Sequence, residues 1–309
     1  MTIIKHLVIS GGANTGYVFF GILKQLLDKS FFNMDEIETI YATSVGTLTA
    51  VYFSLGYSIR DIETFIIDRP WHHVFKVDFN TVVRAVQEGG LFNQTQFIQL
   101  VNAMLLGKDL EIDITLQEFY EVSKKEIHFY VTSYGKFELV DISYKTHPNW
   151  RIVDAIYASC CLPILFDPFV HEGEYYIDGG ILKNYPLNKC LEDGHDPENI
   201  LGIYQTNKVE EEKADSSQTP FRSTNSSSTY KLFDYIISFL IKLWTFIKLP
   251  HHENEKNVLN QIPALCAIDP WKILEAIESK EERQRLVKIG VDAANLFLDK
   301  LPPPPPEKT

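Results

Sequence analysis

Apolar and polar positions alternate along this chain with two different periods. The run IIKHLVIS (Ile3–Ser10) is short, rich in β-branched residues and ends in glycines, so it predicts a buried strand. After Gly11 and Gly12, the apolar residues of Tyr17–Leu27 fall at the spacing of a helix packed on a sheet. The cycle repeats with ETIYA (Glu38–Ala42) as a second strand and Val45–Leu55 as a second apolar helix. Strand, glycine turn, helix, strand, turn, helix is the order of a parallel α/β sheet, in which loops at the strand C-termini carry the chemistry.

From Ile59 to about Lys124 the pattern is mainly helical and holds no catalytic signature. EIHFYVTSY and KFELVDIS alternate around a Gly135-Lys136 turn and predict a hairpin. A helix over Arg151–Cys160, a strand ending at Asp178 (EYYIDGG) and another strand, NILGIYQT, complete one α/β domain over 1–207.

Lys208–Thr229 is polar and rich in Ser and Thr, which marks a loop or linker over 208–229. It leads into YKLFDYIISFLIKLWTFIKLP. Wound as a helix, this segment gathers Lys231, Asp234, Ser238, Lys242, Thr245 and Lys248 into one polar stripe, with everything else apolar. A lysine in mid-run and the modest length weigh against a membrane span. ERQRLVKIGVDAANLFLDKL (Glu282–Leu301) predicts a final helix, so 230–301 is read as helices packed on or beside the domain. The tail 302–309 opens with five prolines, Pro302–Pro306, an exposed polyproline II spacer.

The chain has 309 residues and is 45% hydrophobic, enough for one large core or a domain with an appended subdomain. A net charge of −12 argues against nucleic acid as a partner, because phosphate backbones demand basic patches. The cysteines are Cys160, Cys161, Cys190 and Cys266, with no C-x-x-C spacing. They predict no disulfide framework and no metal site, and read as small buried residues in a reducing compartment. MTIIKHLVIS is too short and interrupted for a signal peptide, so the expected location is the cytoplasm.

Chemistry enters with Ala42-Thr43-Ser44-Val45-Gly46. A serine between small residues, at the point where a strand turns sharply into a helix, is a nucleophile-elbow pattern. The helix that follows aims its amides and positive dipole end near Ser44, which favours a developing oxyanion. A serine that merely caps the helix satisfies the same five residues. Upstream, Ser10-Gly11-Gly12-Ala13-Asn14-Thr15-Gly16 forms a glycine-rich turn whose N–H groups can point into a cavity. No phosphate-loop or dinucleotide pattern is matched, so an oxyanion hole fits this turn better than a nucleotide, and no cofactor is implied.

A serine nucleophile needs a base. Ser44, Asp178 and His195 stand in the order of an α/β-hydrolase triad, although EDGHDPEN around His195 resembles a solvated loop. The pairs His72-His73 and His251-His252 flank apolar runs and read as packing or surface residues. The alternative base is Asp178 itself, followed by Gly179 and Gly180, which would hold its carboxylate in an open loop. An ordinary Asp-Gly turn is the competing reading.

Taken in order, four blocks resemble the patatin-like phospholipase family over about residues 5–207: SGGANTG, ATSVG, ASCCLPILFDPF (Ala158–Phe169) and DGG. The compact size is similar to that of short bacterial or viral members. The resemblance implies a three-layer α/β/α sandwich with a mostly parallel central sheet and a helical C-terminal extension. It implies lipid acyl hydrolysis of the phospholipase A or lysophospholipase type, with Ser44 as nucleophile and Asp178 as proton acceptor. Gly11, Gly12 and Ala13 would supply the oxyanion hole with Val45 as a further donor, while Gly16, Ala42, Gly46, Gly179 and Gly180 support elbow and loops. The family's basic residue in the oxyanion loop is Thr15 here, and Ala13 and Ala42 replace glycines. Two other readings stand beside it: a catalytically silent lipid-binding protein on the same fold, and a histidine-dependent esterase using His195. For a lipase, the segment 230–249 would dock on a membrane surface, with a core helix or a dimer contact as its alternatives.

Overall fold

The computed structural model describes residues 3–206, 257–266 and 270–301. The predicted linker at 208–229, the amphipathic segment at 230–249, His251-His252 and the proline tail lie outside these residues.

Strands β1 (His6–Ile9), β2 (Thr39–Thr43), β3 (Gly90–Phe92), β4 (Glu126–Ser133), β5 (Glu138–Ile142), β6 (Ile164–Phe166), β7 (Phe169–His171), β8 (Glu174–Asp178), β9 (Ile200–Thr206) and β10 (Asn260–Leu265) follow the chain. The helices are α1 (Gly16–Asp28), α2 (Val45–Ser54), α3 (Ile59–Asp68), α4 (Phe79–Glu88), α5 (Gln94–Leu106), α6 (Leu116–Ser123), α7 (Ile152–Cys160), α8 (Leu187–Glu192), α9 (Pro270–Glu278) and α10 (Lys280–Asp299). The main sheet runs β10-β9-β1-β2-β4-β8-β7, with β5 also on β4. From β10 to β4 all neighbours are parallel, and β5, β7 and β8 join antiparallel.

Side-chain alternation in β1 sets the two faces of the sheet. Leu7 and Ile9 enter the larger core cluster with Ile40 and Ala42 of β2, under α1, α2, α7 and α10. Val8 enters a smaller cluster with Tyr41, Tyr130 and the α8 residues Leu187 and Cys190. The result is the expected three-layer α/β/α arrangement with a mostly parallel sheet. α10 lies along α1, and glycines at their crossing, Gly21 and Gly290, allow the two backbones to meet closely. Among the described residues no helix is long and apolar enough to cross a membrane.

The structure settles one strand direction that the sequence leaves open and corrects one element. The strand ending at Asp178 runs antiparallel to β4 and pairs with β7 through a turn at Gly173 (φ 82°). Residues 260–265, expected within a helical extension, form β10 on the edge of the main sheet beside β9. A parallel edge strand of six residues carries little periodicity to separate it from a buried helical turn.

Candidate active site

Two strands of unequal length bring the site together. β2 ends against β4 with Thr43 opposite Tyr130. β4 continues, and its next residue, Val131, pairs with Asp178 at the end of β8. Since β5 pairs with residues 129–133 of β4 on the other edge, β8 occupies the edge that β2 has vacated. Thr43 and Asp178 are therefore neighbours along β4, and Ser44, one residue past Thr43, faces the Asp178 carboxylate. Ser44 Oγ donates to Asp178 Oδ2 at 2.6 Å.

The backbone at Ser44 is that of a strained elbow, with φ 53° and ψ −132°. The helix-capping alternative does not hold, because α2 begins at Val45 without a side-chain cap from Ser44. The strain is held from three sides. Ser44 N donates to Ser159 Oγ at 2.9 Å, and Ser44 O accepts from Thr47 N at 2.8 Å and Thr47 Oγ1 at 2.6 Å. Gly46 lets the first turn of α2 seat on the end of β1, where a Cβ would stand 2.6 Å from Ser10 O. Ala42 is fully buried in the larger core cluster.

Asp178 is buried, with only 3% of its surface exposed. Its Oδ1 accepts from Gly180 N at 2.7 Å, so the Asp-Gly-Gly stretch serves as more than a turn. Gly179 lies flat against Tyr130 O, where any side chain would collide. Burial pushes the Asp178 carboxyl up to about 6, against the opposing pull of the Ser44 hydroxyl and the Gly180 amide. A carboxylate in hydrogen-bond contact with a serine hydroxyl, ionised just above pH 6, has the geometry and the basicity to take its proton.

The glycine-rich turn runs beside the elbow as a short 3-10 turn over Ala13–Thr15. Among the described residues, the amides of Gly12, Ala13 and Val45 have no acceptor, and all three residues line the same cavity as Ser44. Gly11 departs from its expected role, because its N–H donates to Asn184 O at 2.9 Å and is unavailable to an oxyanion. Gly16 opens α1 against Val45, where a Cβ would stand 2.5 Å from Val45 Cγ2. Ala13 holds φ 48°, a left-handed conformation that explains why a glycine suits the position. Thr15 is fully buried beneath the turn, so a long basic side chain has no room there.

His195 is not part of the site. Its ring stacks on His6 at 3.7 Å and its Nε2 lies 3.0 Å from Tyr41 OH. His6 is opposite Thr39 at the start of β2, roughly 16 Å of strand from Ser44. The histidine-dependent reading therefore fails on geometry. His72 and His73 are exposed in a 3-10 turn.

From Ser44 and Asp178 a cavity extends into the protein. Most of its wall is apolar, including Phe53, Trp71, Phe75, Phe92, Phe97 and Phe166. β3 and β6, a separate parallel pair, carry Phe92 and Phe166. Ile66, Trp71, Phe75, Phe92, Phe97 and Leu100 of this wall come from the stretch between Ile59 and Lys124, where the sequence displays no signature. Apolar residues at helical spacing read alike whether they face a sheet or a cavity. Ser159 was equally silent, one small residue in Ala158–Phe169.

The patatin-like phospholipase family model matches residues 7–191 of the chain. Over 189 residues the chain is 26% identical to the probable lipid hydrolase 463L of Invertebrate iridescent virus 6, covering 60% of this chain and 63% of that protein. It is 28% identical over 185 residues to the uncharacterized protein R571 of Acanthamoeba polyphaga mimivirus, covering 60% of each. The match thus spans less than two thirds of the length of these curated relatives. Among solved structures, the fold is similar to VipD from Legionella pneumophila, with a TM-score of 0.56 at 18% identity over 96% of this chain and 67% of that one.

Proposed function

The chain belongs to the patatin-like phospholipase family, and on that premise we propose that it is a serine lipid acyl hydrolase working through a Ser44–Asp178 dyad. The observation that carries this reading is the 2.6 Å bond from Ser44 Oγ to a buried carboxylate at the mouth of an apolar cavity. In the proposed reaction Ser44 Oγ attacks the ester carbonyl carbon while its proton passes to Asp178. The carbonyl oxygen becomes an oxyanion, which the amides of Gly12 and Ala13, with Val45, are placed to receive. Collapse breaks the ester bond, the alcohol leaves with the proton from Asp178, and the acyl chain stays on Ser44. Asp178 then takes a proton from water, the hydroxide attacks the acyl-enzyme carbonyl, and the bond to Ser44 Oγ breaks as Asp178 returns the proton to it, releasing the fatty acid and restoring the free serine.

The apolar cavity suits a fatty acyl chain, which makes phospholipid or another acyl-ester lipid the proposed substrate. The unit proposed to do this comprises residues 1–207, with the membrane surface as the source of substrate through 230–249. Release of fatty acid from phospholipid vesicles and from p-nitrophenyl esters tests the proposal. Wild type releases it, and Ser44→Ala and Asp178→Asn lose about 10³-fold or more in kcat. Equal residual turnover in all three proteins would refute the dyad.

A further inference from the structure

One wall of the cavity lies outside the matched family region. Ile273, Ala276 and Ile277 of α9 line it, at a spacing that puts them on one helix face. Lys272 and Glu275, on the other face, are exposed. The neighbours of α9 give its direction along the cavity. Cys266, just upstream, accepts from Asn14 Nδ2 at 3.4 Å beside the oxyanion turn. At the other end, the Ala276 and Ile277 carbonyls are held against the end of α3. α9 packs on both the 13–15 turn and the 71–73 turn, and Ala276 and Ile277 lie at its end away from Cys266, their carbonyls sharing one guanidinium with those of Ile67 and Arg69.

The holding group is Arg283, which is 2% exposed. Its guanidinium donates from Nε and Nη2 to Ile67 O at 3.0 and 2.7 Å, and from Nη2 to Arg69 O at 3.1 Å. Its Nη1 donates to Ala276 O at 3.0 Å and Ile277 O at 3.1 Å. Every partner is a main-chain carbonyl, and no carboxylate pairs with it among the described residues. A buried cation without a counter-ion is costly, so its acceptors must supply the negative potential. The last-turn carbonyls and negative dipole ends of α3 and α9 do so together. One side chain thus ties two helix ends that both contribute to the cavity wall, Ile66 from α3 and Ala276 and Ile277 from α9.

We propose that the α9 wall, locked to α3 by Arg283, sets the length of acyl chain the protein accepts, with Ala276 and Ile277 as specificity-determining residues and Arg283 as a positioning residue. This rests on the acyl-hydrolase reading. A bulky side chain at Ala276 fills the far part of the cavity, and each methylene denied burial weakens a long chain by about threefold or more. A loosened clamp lets α9 drift and blurs the same selection.

The test compares kcat/KM for p-nitrophenyl hexadecanoate and butanoate. Ala276→Trp lowers the hexadecanoate-to-butanoate ratio by about tenfold or more. Arg283→Met lowers it through the KM of the long ester, and Arg283→Lys recovers part of the loss. Ile277→Ala, which removes bulk without overpacking, shifts preference toward octadecanoate. Ratios within about twofold of wild type in folded variants overturn the proposal. A second arm needs no catalysis: hexadecanoate and butanoate displace a fluorescent fatty acid from Ser44→Ala protein, with and without Ala276→Trp. Weaker binding of hexadecanoate alone supports the wall, and equal binding in both backgrounds overturns it. If wild type hydrolyses neither ester, the hydrolase reading fails while this binding series still decides the role of α9.

Discussion

Ser159 Oγ accepts the backbone N–H of Ser44 at 2.9 Å and in turn donates to Tyr130 O at 2.6 Å. The hydroxyl is fully buried and joins α7, the elbow and β4 in one chain of hydrogen bonds. Ser44 keeps a backbone conformation that an isolated residue avoids, and this acceptor is one of the groups that hold it there.

Ser159→Ala leaves the Ser44 amide and the Tyr130 carbonyl without that partner. We expect a loss of about 1–3 kcal/mol in stability by urea unfolding. We also expect kcat to fall by about tenfold or more, because small misplacements of a nucleophile are expensive. Wild-type kcat in a correctly folded Ser159→Ala protein would show that the elbow holds its geometry without this bond.

The pH profile follows from the Asp178 carboxyl, which burial raises to about 6. A general base works only when ionised, so kcat/KM for a soluble ester rises with pH to a half-maximum near 6 and levels above it. Below that point it falls by about tenfold per pH unit. His195→Ala keeps the same profile, since the imidazole stacks on His6 at the far end of the sheet. A flat profile from pH 5 to pH 7 contradicts the assignment of Asp178 as base.

The same shift bears on stability with a definite sign. In the unfolded chain Asp178 titrates at the ordinary carboxylate value of 3.8, and in the folded protein at about 6. The folded state therefore binds the extra proton between those values, and its stability falls as pH rises through that window. Asp178→Asn removes the buried charge and keeps an oxygen for the Gly180 amide. Its stability relative to wild type should increase by about 2–3 kcal/mol between pH 3.5 and pH 7.5. Urea unfolding of both proteins at the two pH values measures this, and a gap that stays constant or narrows contradicts it.

Much of the site could be read from short-range pattern. β1, β2 and the two following helices are visible as runs of fixed period. The elbow is visible because only small residues allow α2 to start against β1, as Gly46 does against Ser10 O. What stays hidden depends on distant partners. Asp178 meets Ser44 because β4 outruns β2 and leaves an edge for an antiparallel strand, a length relation that no local window contains. Gly11 reads as an oxyanion donor until Asn184, far along the chain, takes its amide. The cavity walls stay hidden for a related reason, since Phe97 and Ala276 follow the pattern of core residues and acquire their role only from the space they face.

Ala13 offers the last test, because its amide and its backbone strain pull in different directions. At φ 48° an L-residue with a Cβ is strained by about 1–2 kcal/mol, and the strain disappears in glycine. Glycine also gains freedom in the unfolded chain, which offsets about half of that. Ala13→Gly should therefore raise stability by about 0.5–1 kcal/mol while keeping the N–H proposed as an oxyanion donor. Ala13→Val adds a branched side chain to the same left-handed position and should lose about 1 kcal/mol or more. Thermal unfolding of the three proteins should place them in the order Gly, Ala, Val. The reverse order would mean that the turn does not hold Ala13 at positive φ in solution.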